Sequence, residues 1–185
     1  MIQVGCIVVI LLWLTICIPR ITKQVNWKVW VSSVFVVYLL GNLYCTVLSR
    51  VPSNSRIIDL RLFKTYGDLF KVTTLHESEI VGFFSRFMND TPVIVNLILN
   101  ILLYYPLGYL LPILFPKLKP KHVILIGCLC SIATEATQYL LKMGWCETDD
   151  VIHNTLGTAI GVWVWLWQSK RLNAQRNANP GKGEV

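Results

Sequence analysis

Four side chains in this sequence are suited to acid–base work: Glu135, Asp149, Asp150 and His153. A carboxylate facing a second carboxylate or an imidazole can pass a proton to or from a bound headgroup, or hold a metal weakly. Around them stand amides that could grip a polar ligand, namely Asn96, Asn100, Gln138 and Asn154. The spacing is helical. Asn96 and Asn100 are four apart, with Tyr104 and Gly108 continuing the line. Ser131, Glu135 and Gln138 follow i, i+4, i+7, and Asp150, Asn154, Gly157 and Gly161 follow a third such stripe. No activated serine or cysteine motif accompanies them, and no cofactor motif. Cys128 and Cys130, two apart, point to different helix faces, so no metal-type pairing arises and neither cofactor nor metal is expected.

The elements that carry these residues are membrane helices. The chain has 185 residues, just over half of them apolar and few charged, which exceeds what an ordinary soluble domain carries. Five low-charge runs reach the length needed to cross a bilayer: about 2–18, 29–48, 93–115, 123–141 and 151–167. The fold class is therefore all-α, a polytopic membrane protein with one domain over 1–168 and a basic polar tail over 169–185. The first run lacks a basic n-region and a small-residue cleavage site, and reads as an uncleaved helix. Most of the six cysteines lie inside spans, as small apolar packers.

A net charge of +7 does not point to nucleic acid, because the basic residues fill short connectors. Arg20, Lys23 and Lys28 occupy the first connector, Lys117, Lys119 and Lys121 the third, and Lys170, Arg171, Arg176 and Lys182 the tail. The connector from Lys142 to Asp150 is acidic. The positive-inside rule sets the N-terminus outside and the C-terminus in the cytoplasm. Trp27 and Trp30, with Trp163, Trp165 and Trp167, fall at cytoplasmic interfaces as an aromatic belt.

With this topology the three polar stripes meet near the outer leaflet. The third span enters from outside through Asn96 and Asn100, and the fifth begins there with Asp150 and Asn154. Glu135 lies six residues before Leu141, about 9 Å along the helix. A carboxylate within a span costs about 2.5–3.5 kcal/mol on insertion scales. Glu135 should therefore be protonated, or paired with amides of Asn96, Asn100, Gln138 or Asn154. Gly157 and Gly161 form a small-xxx-small pattern that admits a close neighbour. Pro106, Pro112 and Pro116 should bend or end the third span.

The one long connector, 50–90, contains a capping box at Thr74 and Glu77, followed by Ile80, Phe83, Phe84, Phe87 and Met88 on one helical stripe. An amphipathic helix there should lie in the interface plane, the alternative being a lid on the spans. Plainer roles remain open for several residues. Thr148 or Asp149 could simply cap the fifth helix. His153 could be an interfacial histidine without chemistry, Asn96 and Asn100 interhelical glue, and Tyr104 and Tyr105 packing residues. Arg50, Arg56, Arg61 and Lys64 could meet headgroups or be solvated.

The ordered segments "NLILNILLYYPLGYLLPILFP", "SIATEATQYL" and "DDVIHNTLGTAIG" resemble the VanZ family. Its members similarly show an asparagine ahead of Pro-Leu-Gly, matched by Asn100 and Pro106, Leu107, Gly108. A Glu with a nearby Gln follows, matched by Glu135 and Gln138. Last comes an Asp-Asp pair before Asn-Thr-Leu-Gly, matched by Asp149, Asp150 and then Asn154, Thr155, Leu156, Gly157. Upstream the family tends to have an Arg and Asn-Leu-Ile-Pro-Phe, where this chain has Arg56 and "DLRLF". The resemblance implies a bacterial cell-envelope membrane protein tied to low-level resistance to teicoplanin-type glycopeptides. It supplies no settled chemistry.

The expected function is an outer-leaflet polar pocket for a lipid-associated ligand, lined by Asn96, Asn100, Glu135, Gln138, Asp150 and Asn154. The ligand would be a membrane lipid, a lipid-linked wall precursor or a lipoglycopeptide. The alternative is a membrane enzyme using Glu135, Asp149, Asp150 and His153 on such a lipid. A small transporter fits less well, since five spans are few and no repeat is evident. Homo-oligomerisation is left open.

Overall fold

The computed structural model describes residues 26–50, 52, 57–59, 91–143 and 145–178. Helix α1 spans Trp27–Leu43 and continues through a π-helical turn over Tyr44–Leu48. Asn26 starts it, its side-chain oxygen accepting from the Lys28 amide at 3.1 Å. A short strand β1 covers Ile57–Asp59, and helix α2 covers Thr91–Leu114. Helix α3 runs Pro120–Leu141, strand β2 Trp145–Glu147, and helix α4 Thr148–Ala178.

Among the described residues, three helical stretches are long and apolar enough to cross a membrane: Trp27–Leu48, Val95–Leu114 and Pro120–Leu141. They coincide with the second, third and fourth runs of the sequence. The first run, the capping box and the amphipathic stripe of the 50–90 connector lie outside the described residues, as do Arg56, Arg61 and Lys64. The fifth run is part of α4, which is more polar than the other three and extends past 167 through the basic residues to Ala178. Its polarity has a place to go. Packing on α2 and α3 buries His153, Asn154 and Thr158, while Leu156, Ile160, Trp163 and Trp167 form an exposed apolar stripe at i, i+4, i+7, i+11.

Helices α2 and α4 run parallel and form the most extensive contact in the described structure. Their backbones touch at glycines. A Cβ on Gly157 would collide with the Ile101 carbonyl, one on Gly161 with the Tyr105 carbonyl, and one on Gly108 with the Thr158 carbonyl. Gly127 of α3 admits the Thr158 side chain in the same way. The small-xxx-small expectation thus acquires its partner, α2. Helix α2 continues through Pro106 and Pro112 and stops at Leu114, just short of Pro116. The Leu103 carbonyl accepts the Tyr38 hydroxyl at 2.9 Å, tying α1 to α2.

Apolar packing fills the end nearer the lysine-rich connector. Val31 and Val34 meet Tyr109 and Leu110, and Leu111 meets Val123 and Val162. At that end Lys117, Lys119 and Lys121 are exposed. The opposite end is polar, and there the two short strands pair in parallel, Ile57 with Trp145, Ile58 with Cys146 and Asp59 with Glu147. Residues 57–59 of the long connector are thereby held against the acidic connector. The reversal from α3 into β2 turns on Lys142, which adopts the left-handed conformation (φ 57). The Met143 amide returns to the Gln138 carbonyl at 2.8 Å and that of Lys142 to Tyr139 at 3.2 Å, satisfying carbonyls at the helix end.

Candidate functional site

The polar end gathers five of the six residues expected to line a pocket into hydrogen bonds between elements. Asn100 Nδ2 donates to Asp150 Oδ1 at 2.6 Å, joining α2 to the first turn of α4. Asn154 Nδ2 donates to Ser131 Oγ at 2.8 Å, joining α4 to α3. Gln138 Nε2 donates to the Thr46 carbonyl at 2.9 Å, reaching from α3 to the π-helical turn. Carbonyls in a last helical turn have no following amides, so Gln138 supplies a missing donor. Tyr104 and Thr134 add a hydroxyl contact of 3.0 Å between α2 and α3. Asn96, the sixth residue, sits half-buried one turn before Asn100.

Glu135 is 4% exposed. It takes none of the four side-chain amides expected as its partners. Its Oε2 accepts instead from the main-chain amide of Glu147, at 3.0 Å. The correction has a plain cause. Asn100, Gln138 and Asn154 are each committed elsewhere, whereas the turn at Lys142 brings the β2 backbone over the end of α3. Asp149, Asp150 and His153 are also buried, so the acidic head of α4 is inside the protein. Negative charge in that first turn suits the helix dipole. Thr148 is the first helical residue, and its hydroxyl donates to the Asp59 carbonyl at 3.4 Å, tying α4 to β1.

Electrostatically the cluster is a group of carboxylates within the influence of Arg50. Burial is the main reason the Asp150 carboxyl is pushed up to about 6. Glu147 and Asp149 add to this, while Arg50 and the Asn100 hydrogen bond oppose it. The Cys146 thiol is also pushed up, first by burial and then by the charges of Glu135 and Asp150. Arg50 acts on both Glu135 and Asp150. From sequence, Arg50 is only a headgroup or solvent cation, since it lies past the helix end, where no periodicity assigns it a face. Thr46 contributes through its main chain and Asp59 through a strand, and neither leaves a pattern in the sequence.

Helices long and apolar enough to span a bilayer, with buried carboxylates and amides gathered at one end, define a helical membrane protein with a buried polar cluster. Residues 6–169 match the family model described as VanZ/LLP1, and the chain belongs to that family. No curated protein and no solved structure matches it.

Proposed function

We propose that this VanZ/LLP1-family protein lies in a bacterial cell membrane with its polar cluster toward the outside, where it holds the headgroup of a lipid-associated ligand. The observation that carries this reading is the pair of buried carboxylates, Glu135 and Asp150, within electrostatic reach of each other and of Arg50. Glu135 lies inside a span, where an ionisable residue is costly and marks a functional position by default. The exposed lysines at the opposite end support the orientation, through the positive-inside rule. The exposed apolar stripe of α4 supports its crossing the bilayer over 151–167. A ligand with a polar head and an acyl tail matches the depth of the cluster, and an acyl-bearing glycopeptide is such a ligand.

The test is tolerance in a susceptible bacterium expressing the protein. Protection should be greater against an acylated glycopeptide than against a non-acylated one. Asn100→Ala, Asp150→Ala and Asn154→Ala should each abolish the difference at matched protein abundance, and Lys170→Ala should not. Equal protection against both drugs removes the acyl-tail ligand, and full activity in all three variants removes the site.

The buried Asp150 carboxyl, poised near neutrality, favours a second reading in which the cluster performs acid–base chemistry on a lipid or lipid-linked precursor. A headgroup-modified lipid present only with the active protein, and absent with Asp150→Asn, would replace binding with catalysis.

A further inference from the structure

Donors and acceptors at the polar end do not balance. Gln138 is 1% exposed and Asn154 4%, and each spends its Nε2 or Nδ2 group on a neighbour. Among the described residues, their amide oxygens, Gln138 Oε1 and Asn154 Oδ1, are buried with no hydrogen-bond partner. Each lies within about one helical turn of a carboxylate on the same face, Gln138 three residues after Glu135 and Asn154 four after Asp150. Burying an acceptor without a donor costs about 1–3 kcal/mol. Among the described residues, two such atoms, each about a turn from a buried carboxylate, leave this end of the protein with more acceptors than N–H or O–H donors. Half-buried Arg50 supplies positive charge to the carboxylates, but among the described residues the two amide oxygens remain unmet.

We propose that the cluster is a seat for a primary ammonium group, so that the ligand is recognised through an amine-bearing headgroup. This rests on the headgroup-binding reading above and narrows its substrate class. An ammonium brings three N–H donors for the unmet oxygens and one positive charge for the carboxylates. A bare phosphate brings only acceptors and negative charge and is repelled by the carboxylates. A trimethylated ammonium has the charge but no donors, and leaves the amide oxygens unmet. A metal ion fits less well, since among the described residues no three His, Cys, Asp or Glu groups gather as ligands.

The experiment uses the full-length protein in detergent micelles, titrated with three lipids that share their acyl chains: phosphatidylethanolamine, phosphatidylcholine and phosphatidylglycerol. Retained lipid is read by native mass spectrometry. Phosphatidylethanolamine should bind about tenfold more tightly than phosphatidylcholine, the equivalent of one charge-assisted hydrogen bond. Glu135→Gln, Asp150→Asn and Gln138→Leu should each erase most of that preference, and Lys170→Ala should keep it. Glu135→Gln and Asp150→Asn are near-isosteric, so they remain informative where Gln138→Leu fails to fold. Free ethanolamine competing at millimolar concentration would assign recognition to the amine alone, and failure to compete would assign it to the amine on its lipid. Either agrees with the seat. Equal binding of all three lipids, preference for phosphatidylglycerol, a preference that survives both isosteric variants, or displacement of the lipid by calcium would overturn it. The drug-tolerance difference is scored separately, so loss of the ammonium preference with tolerance intact refutes this inference without refuting the lipid-ligand reading.

Discussion

Asn100 and Asp150, fifty residues apart, meet at 2.6 Å and lock the N-terminal half of α2 to the first turn of α4. The bond satisfies an amide inside a membrane helix and a carboxylate that burial would otherwise leave isolated. Two turns further along α4, Gly157 lies directly against the Ile101 carbonyl, so the polar contact and the close backbone crossing reinforce each other. Replacing Asn100 by Ala should destabilise the protein by about 1.5–3 kcal/mol, the usual worth of a hydrogen bond to a charged group. Asn100→Asp should be worse, because it adds a negative charge beside Asp150. Thermal unfolding in detergent measures both, and an Asn100→Asp protein as stable as the wild type would refute the contact.

The Asp150 carboxyl sets a pH dependence with a definite sign. Its folded pKa is raised from the ordinary value of 3.8 to about 6, mainly by burial. The folded state therefore favours the protonated form, and the stability it gains is fully present below 3.8 and is lost as pH rises through about 6. The difference is on the order of 3 kcal/mol. Unfolding temperatures from pH 4 to pH 7 should fall more steeply in the wild type than in Asp150→Asn. Parallel profiles would show that Asp150 titrates in solvent.

The glycines at the helix crossing should be intolerant of even one methyl group. Gly157→Ala and Gly161→Ala press a Cβ into main-chain carbonyls of α2, atoms that cannot swing aside. Forcing the helices apart should cost about 1–3 kcal/mol or more, as overpacking does. A Cβ at Gly41 would meet nothing within 4 Å, so Gly41→Ala is the matched control. Membrane abundance and unfolding temperature should drop for the first two and hold for the third.

Glu135 should accept a neutral isostere and reject a cation. Glu135→Gln keeps an oxygen for the Glu147 amide, whereas Glu135→Lys offers that amide no acceptor and buries a long charged chain. Breaking a buried charge arrangement in this way costs about 3–5 kcal/mol. A Glu135→Lys protein that accumulates normally would mean the Glu135–Glu147 bond does not hold the α3–β2 turn.

Cys146 reports orientation and environment together. An impermeant maleimide added to intact cells should reach it, since it is part-exposed in β2 at the polar end, while a cysteine in place of the exposed Lys119 should stay protected. Burial and the nearby carboxylates raise the thiol pKa, so labelling should be slow at pH 7 and accelerate with alkaline pH. Labelling at 119 and protection at 146 would invert the topology.

Much of this arrangement is written along the chain. Helical spacing alone puts Asn96 with Asn100, Ser131 with Glu135 and Gln138, and Asp150 with Asn154, Gly157 and Gly161. Such faces follow from 3.6 residues per turn, and apolar run length follows from bilayer thickness, so both are local properties that sequence determines by itself. What periodicity does not contain is how far each helix is rotated and slid against its neighbours, or where a non-helical backbone returns. Those depend on contacts between residues far apart in the chain. Only the tertiary structure decided that Asn100 takes Asp150 and leaves Glu135 to a main-chain amide of β2, that Gln138 reaches the Thr46 carbonyl, and that β1 pairs with β2. The same packing set Arg50 within electrostatic reach of the carboxylates and, among the described residues, left the amide oxygens of Gln138 and Asn154 without a donor, because side chains fixed by one partner cannot turn to meet a second.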